Sequence, residues 1–102
     1  FVAINNVRYE KCVIVSPHAV TEWSVGAFEA LTAADFEFIE QLKPEIVILG
    51  TGAAQRFPAP ALARALAATG VGVEVMDSRA ACRTYNILAT EGRRVAAALL
   101  FE

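Results

Sequence analysis

The spacing of apolar residues changes along the chain and divides it into a strand-rich first third and a longer region in which helices and strands alternate. In the first third, apolar residues come in short β-branched runs, some alternating with polar residues, and turn-forming residues separate the runs. The predicted strands are a hairpin of Phe1–Ile4 and Val7–Tyr9 turning at Asn5-Asn6, followed by Lys11–Val15 and Val20–Val25. This pattern predicts an antiparallel β region at the amino end.

From Leu31 onwards the apolar positions follow the helical repeat. Thr32 and Asp35 have the spacing of a capping box, and Leu31 and Phe36 stand at the two staple positions around it. We predict helices near residues 33–42, 60–69 and 78–90. The residues expected to face the core in the first two helices are Phe36, Ile39, Leu42, Leu62, Ala65, Leu66 and Thr69.

Three predicted strands alternate with these helices, namely Ile46–Leu49, Val73–Met76 and Val95–Phe101, of which the first and the last are apolar on both faces. Apolar runs without polar alternation are typical of strands that helices cover on both faces. We therefore predict one α/β domain over residues 1–102, with these runs among the inner strands of its sheet. The expected fold has three layers, a central mixed sheet with right-handed βαβ crossovers, and an additional antiparallel β layer from the amino-terminal third.

Composition and charge narrow the functional classes. The chain is 56% hydrophobic, but none of its apolar runs reaches the roughly 20 residues that a membrane-spanning helix needs. The net charge of −2 and the pI near 5.4 disfavour nucleic acid as a partner, because nucleic-acid-binding domains carry a basic surface. Cys12 and Cys82 lack the spacing of a metal or redox motif, so we expect unpaired thiols, a cytoplasmic location and no metal site.

Two further expectations concern packing and the amino end of the chain. The large side chains expected to be mostly buried are Trp23, Phe36, Leu66, Tyr85 and Leu88. The first residue is Phe1 rather than methionine, and we expect that the amino end has been processed or trimmed.

The carboxyl ends of two predicted strands form a candidate binding edge, because open α/β sheets bind ligands there. One strand leads into Gly50-Thr51-Gly52 and the next into Asp77-Ser78-Arg79, where Ser78 is expected to cap the following helix. A glycine loop of this kind presents backbone N–H groups to an anion, or simply makes a tight turn. It lacks the ending of a Walker A loop, and Gln55 stands where a dinucleotide fingerprint has its third glycine.

The helix after Asp77 carries a narrow polar stripe of Arg79, Arg83, Asn86 and Thr90. Its expected apolar face consists of Ala81, Cys82, Tyr85, Leu88 and Ala89. Guanidinium groups together with backbone donors suit an anionic or carboxylate-bearing group, although a solvated polar face explains the same stripe. The candidate ligand-binding or partner-binding residues are Gly50, Thr51, Gly52, Arg56, Ser78, Arg79, Arg83 and Asn86.

The residues do not form a known catalytic constellation. Ser78 has no histidine at the spacing of a general base, and the single histidine, His18, lies in a proline-bounded turn where we expect it to be solvated. We therefore assign no catalytic residue and no cofactor.

Several motifs resemble one known family over nearly the whole chain. They are Gly50-Thr51-Gly52 with the following Phe57-Pro58, the stretch from Glu74 to Asn86 that ends in Ala81-Cys82-Arg83-Thr84-Tyr85-Asn86, and Glu91-Gly92-Arg93-Arg94-Val95. This pattern is similar to the family of small domains that includes the third mitochondrial complex I assembly factor and many uncharacterised bacterial proteins. Ser78 stands where that family usually has threonine. The resemblance implies a three-layer α/β domain and, for the mitochondrial relatives, a non-catalytic role in assembling NADH dehydrogenase.

Two function classes follow from these observations. The first is a non-catalytic binding or assembly-type domain that holds a partner protein, which agrees with the resemblance and with the missing catalytic set. The second is a domain that binds a small anionic ligand or a nucleotide, or a small enzyme, at the edge formed by Gly50-Thr51-Gly52. We favour the first class, and the sequence leaves the partner, the ligand and the oligomeric state open.

Overall fold

The computed structural model describes residues 12–17, 19–25, 28–68 and 70–101, and the backbone of residues 2–4 and 7–9. The strands are β1 Val2–Ile4, β2 Val7–Tyr9, β3 Val13–Ser16, β4 Ala19–Glu22, β5 Ile46–Gly50, β6 Gly72–Met76 and β7 Val95–Leu99. The helices are α1 Glu37–Gln41, α2 Pro60–Ala67 and α3 Ser78–Thr90, and short 3₁₀ turns lie at Phe28–Ala30 and Ala33–Phe36. The predicted turn at Asn5-Asn6, His18 and Thr69 lie outside the described residues.

A mixed sheet with the strand order β4-β3-β7-β5-β6 forms the centre of the fold. β5 pairs in parallel with both β6 and β7, whereas β3 pairs antiparallel with β7 and with β4. β1 and β2 form a separate antiparallel pair, which is the additional β layer that the sequence predicts. β3 and β4 belong to the central sheet instead. The predicted α/β fold class is confirmed.

Alternating side chains of the strands point to opposite faces of the sheet and form two cores. On one face, Val47 and Leu49 of β5 pack with residues from the Ala33–Phe36 turn, α1 and α2. On the other face, Ile48 of β5 packs with Ala81 and Tyr85 of α3. Helices therefore cover both faces, which explains why β5 and β7 have apolar residues at consecutive positions.

Most of the predicted packing is confirmed. Trp23, Phe36, Leu66 and Tyr85 are buried, while Leu88 is half-buried against the core beneath α3. The rings of Trp23 and Phe36 meet edge to face with centroids 5.4 Å apart, and the indole N–H of Trp23 donates to the Asp35 carbonyl at 2.9 Å. Cys12 and Cys82 are free thiols.

The predicted start of the first helical segment is also confirmed. The Asp35 carboxylate accepts the backbone N–H of Thr32 at 2.8 Å, as a capping box requires. Leu31 and Phe36 are both buried in the same core, where staple residues are expected.

Two of the predicted positions in the sheet and helices are wrong. Val73–Met76 is not an inner strand, because β6 lies at the edge of the sheet, and its Glu74 is exposed. Leu42 does not face the core: α1 ends at Gln41, and Leu42 is its 39% exposed C-cap.

Two strands are also shorter than predicted. β7 ends at Leu99 rather than Phe101, and β4 ends at Glu22 rather than Val25.

Over the described part of the chain, the helices are too short or too polar to cross a membrane.

An exposed ion pair joins the start of β5 to the start of β7. Arg93 Nε donates to Glu45 Oε1 at 2.6 Å, and the backbone N–H of Arg94 donates to the same oxygen at 3.3 Å. The hydrogen bond from Arg93 lowers the pKa of the Glu45 carboxyl below its ordinary value of 4.5. The charged carboxylate is therefore favoured by folding.

The stability supplied by Glu45 is expected to depend on pH. Because the pKa of Glu45 is lower in the folded chain, its contribution is complete above the ordinary carboxyl pKa and is lost as the pH falls through the lowered value. Urea unfolding at about pH 7 should thus show Glu45→Gln to be less stable than the native chain, and the difference should disappear near about pH 2. Glu40→Gln on α1 serves as the control. The expectation is contradicted if the difference in the free energy of unfolding between Glu45→Gln and the native chain does not change with pH.

Candidate functional site

The hydroxyl of Ser78 joins the two strand-to-helix junctions that the sequence singles out. Ser78 Oγ donates to the carbonyl of Leu100 at 2.7 Å and accepts the backbone N–H of Gly52 at 2.9 Å. The backbone N–H of Ser78 donates in turn to the Gly52 carbonyl at 2.8 Å. Since Ser78 is buried, these bonds fix the amino end of α3 against the ends of β5 and β7.

Gly50 is required by this close contact. A Cβ added at Gly50 would lie 2.9 Å from Ser78 Oγ, 3.0 Å from Ser78 Cα and 2.9 Å from Leu99 Cδ2. A Cβ atom is essentially never found this close to other heavy atoms, so a larger residue at position 50 would force Ser78 or Leu99 to move. The glycine therefore lets α3 pack directly on the end of β5.

Thr51 is completely buried and organises the loop that follows β5. Its backbone N–H donates to the Met76 carbonyl at 2.9 Å. Its hydroxyl donates to the Ala54 carbonyl at 2.7 Å and accepts the N–H of Arg56 at 3.1 Å. The N–H groups of Thr51 and Gly52 are thus used inside the protein, whereas an anion-binding nest would direct such groups at the ligand.

The N-cap of α3 is Asp77, and the prediction that Ser78 caps this helix is wrong. The carboxylate of Asp77 accepts the N–H of Ala80 at 2.8 Å. Ser78 is the first helical residue, and its hydroxyl turns toward the sheet because Gly52 and Leu100 offer buried partners there. Either residue type favours an N-cap, and tertiary contacts decide between them.

The predicted polar stripe of α3 faces solvent. Arg79, Arg83, Asn86 and Thr90 are all exposed. On the opposite side of the helix, Ala81 and Tyr85 are buried and Cys82, Leu88 and Ala89 are half-buried, so the predicted apolar face is confirmed. The structure therefore separates the candidate residues into a buried group and an exposed group.

Arg56 is directed toward another part of the surface. Its guanidinium Nη1 donates to Glu29 Oε1 at 3.0 Å, and its Cζ lies 5.6 Å from the centre of the Phe28 ring. These contacts connect the loop after β5 to the 3₁₀ turn Phe28–Ala30.

Two titratable groups on the inner face of α3 favour their neutral forms. Burial raises the pKa of the Cys82 thiol and that of the Tyr85 hydroxyl above their ordinary values. A thiol must ionise to act as a nucleophile, so Cys82 is suited to packing. Among the described residues, no group of three or more His, Cys, Asp and Glu side chains is placed to hold a metal ion.

Two exposed apolar residues near the candidate site were missed by the sequence reasoning. Phe57 is 77% exposed in the loop before α2, and Ile87 is 61% exposed on α3. Ile87 lies four residues after Arg83, so the helical repeat places both on one side of α3. That spacing is the signal that could have identified Ile87, whereas Phe57-Pro58 entered only through the family resemblance.

Comparisons with known proteins place this geometry in context. The model of the family described as "Protein of unknown function (DUF498/DUF598)" matches residues 1–100. Bovine NADH dehydrogenase [ubiquinone] 1 alpha subcomplex assembly factor 3 is 37% identical over 102 residues, which cover 98% of this chain and 55% of that protein. The 13 kDa major membrane protein of Francisella tularensis is 29% identical over 99 residues, covering 95% of this chain and 80% of that protein. The chain spans about half the length of the curated assembly factors that it matches.

Solved structures show the same fold. A crystal structure of a Bordetella parapertussis protein superposes with a TM-score of 0.88 at 42% identity, covering 98% of this chain and 86% of that chain. A Bordetella pertussis protein described as a Mth938-like domain gives a TM-score of 0.78 at 36% identity, covering 94% of this chain and 77% of that chain.

Proposed function

Since this chain belongs to the family described as protein of unknown function (DUF498/DUF598), we propose that it is a non-catalytic binding domain that holds a partner protein during the assembly of a respiratory NADH dehydrogenase. The observation that carries this proposal is the 37% identity with the bovine assembly factor over 98% of the chain. Arg79, Arg83, Asn86 and Thr90 are exposed on α3, where a partner protein can contact them.

The candidate residues fall into two roles under this proposal. Gly50, Thr51, Gly52 and Ser78 form the support, because their contacts fix the amino end of α3 to the sheet. Arg56 strengthens the neighbouring loop through Glu29. A binding surface on a rigid element keeps its geometry when the partner is absent, which lowers the entropic cost of association.

The proposed contact surface is the α3 outer face, which consists of Arg79, Arg83, Asn86, Ile87 and Thr90. All five residues are exposed. Arginine is enriched at protein interfaces, where its planar guanidinium group bonds carboxylates in a fork, and Ile87 supplies apolar area between the polar groups. The partner surface that fits this arrangement is acidic with an apolar centre.

The assembly role can be tested by domain replacement. In bovine cells depleted of their own assembly factor 3, a chimera in which this chain replaces the matching region should restore assembled NADH dehydrogenase on native gels. The unmodified bovine factor is the positive control. A chimera that is expressed and folded but restores no assembled enzyme would contradict the proposed function.

Loss of the two arginines is expected to weaken partner binding. Arg79→Ala combined with Arg83→Ala should reduce affinity for the recovered partner by about tenfold or more, because arginines at an interface commonly act as hot spots. The melting temperature should stay near that of the native chain, since both side chains are exposed. Binding is measured by titration calorimetry, with Arg93→Ala as the matched control on another surface. If the native chain, the double variant and Arg93→Ala bind equally well, the stripe is a solvated face and not a binding surface.

A further inference from the structure

The outer edge of β6 presents backbone hydrogen-bonding groups away from the sheet. In a parallel ladder, alternate residues direct their N–H and C=O groups to opposite sides of the strand. The Met76 carbonyl accepts the N–H of Thr51 at 2.9 Å and therefore faces β5. The Val75 carbonyl accepts the side-chain amide of Gln55 at 3.2 Å, which places Val75, and by alternation Val73, on the outer side. This bond shows that a donor can approach the edge from outside.

An apolar cleft adjoins the same strand. It is a small, open depression with a cavity volume of about 20 Å³, and it lies on the face of the sheet that carries α1 and α2. Phe36 and Ile39 line it together with Leu66 of α2, and Val71, just before β6, and Val73 of β6 complete the lining. The two valines are half-buried. An edge strand beside an apolar cleft is the arrangement that binds extended peptides by strand addition.

The charges around this edge specify the side chains of an added strand. Glu74 is exposed on β6, on the face opposite the cleft, and Glu40 is exposed at the rim of the cleft. Residues of an added strand would alternate between the two faces, so one set would lie against the apolar lining of the cleft and the other would lie beside Glu74. We propose that the β6 edge binds an extended segment of a partner protein in which apolar residues alternate with basic ones.

A second copy of this chain is the less favourable occupant. Antiparallel pairing of two β6 strands about their central residue would set Glu74 directly opposite Glu74 of the other copy. Like charges in directly opposed positions destabilise paired strands. A basic segment from another protein brings the opposite charge to the same position.

The proposal is tested with a blocked hexapeptide of alternating valine and lysine, and with a second hexapeptide in which glutamate replaces lysine. The lysine peptide should slow amide exchange at Val73 and Val75 by about tenfold or more, because strand addition would pair the outward groups. The glutamate peptide should bind at least about fivefold more weakly, as like charges oppose its pairing. In Glu74→Lys, the preference between the two peptides should reverse.

Matched variants separate this surface from the α3 outer face. Glu91→Lys makes the same charge change at the end of α3 and should leave the peptide preference unchanged. Arg79→Ala with Arg83→Ala should also leave the peptide preference unchanged, because both arginines lie on the α3 outer face. The two surfaces are thus tested separately, and the β6 proposal can fail while the proposed function holds. The inference is overturned if neither peptide protects the two amides at millimolar concentration, or if folded Glu74→Lys keeps the native preference. If the amides of Val73 and Val75 are protected in a dimer of this chain without peptide, the edge binds a second copy, and the partner proposed here is overturned.

Discussion

Replacing Leu66 with alanine is expected to lower the free energy of unfolding by about 2–5 kcal/mol, the range for large-to-small substitutions in a packed core. Leu66 is 7% exposed and is one of the two buried side chains of α2, together with Leu62. It packs in the core that contains Val47 and Leu49 of β5. Its removal takes away much of the contact that attaches α2 to the sheet. Urea denaturation followed by circular dichroism measures the loss.

Leu42→Ala provides the matched control for this substitution. The chemical change is identical, but Leu42 is 39% exposed at the end of α1 and loses less buried area. We expect a clearly smaller loss for Leu42→Ala than for Leu66→Ala. A loss below about 0.5 kcal/mol for Leu66→Ala would show that the core beneath α2 is not packed as described.

The elements that the sequence predicts well are those whose signals are local. α3 spans the predicted residues 78–90, because an N-cap residue precedes it, Gly92 follows it and its apolar positions keep the helical repeat. β5 was recognisable for a related reason, since four consecutive apolar residues before Gly50 indicate a strand that is covered on both faces.

The position of β6 in the sheet could not be derived in the same way. Strand order depends on β7, which follows α3 in the sequence and pairs on the far side of β5. Glu74 is a local sign that helices do not cover β6 on both faces, because a charged residue inside an apolar run indicates that one face of the strand is open to water. The position of β6 in the sheet is thus determined by pairing between distant segments and not by the local sequence pattern.

The candidate site was predictable to the level of its elements, and less so for individual side chains. The two junctions do meet at one edge, as parallel strands require. The predicted N-cap was Ser78, whereas the structure has Asp77 in that role, because both residue types are good N-caps and only the buried partners of Ser78 distinguish them. Arg56 is among the candidate residues predicted from the sequence, but its pairing with Glu29 depends on a loop conformation that sequence spacing does not encode.

Ser78→Ala is expected to destabilise the chain by about 2–4 kcal/mol, since each buried polar group left without a partner costs about 1–3 kcal/mol. The substitution removes both the donor to the Leu100 carbonyl and the acceptor for the Gly52 N–H. These groups lie where β5, β7 and α3 meet. Loosening this contact should also raise amide exchange in the first turn of α3, which nuclear magnetic resonance measures residue by residue.

Thr90→Ala distinguishes the buried hydroxyl from hydroxyl groups in general. Thr90 lies on the same helix and its Oγ1 donates to the Asn86 carbonyl at 2.7 Å, but it is exposed, so water can replace the lost bond. Its removal should change the free energy of unfolding by no more than about 0.5 kcal/mol. If Ser78→Ala costs no more than Thr90→Ala, water or a small backbone shift satisfies Gly52 and Leu100. The serine would then not be what fixes α3 to the sheet.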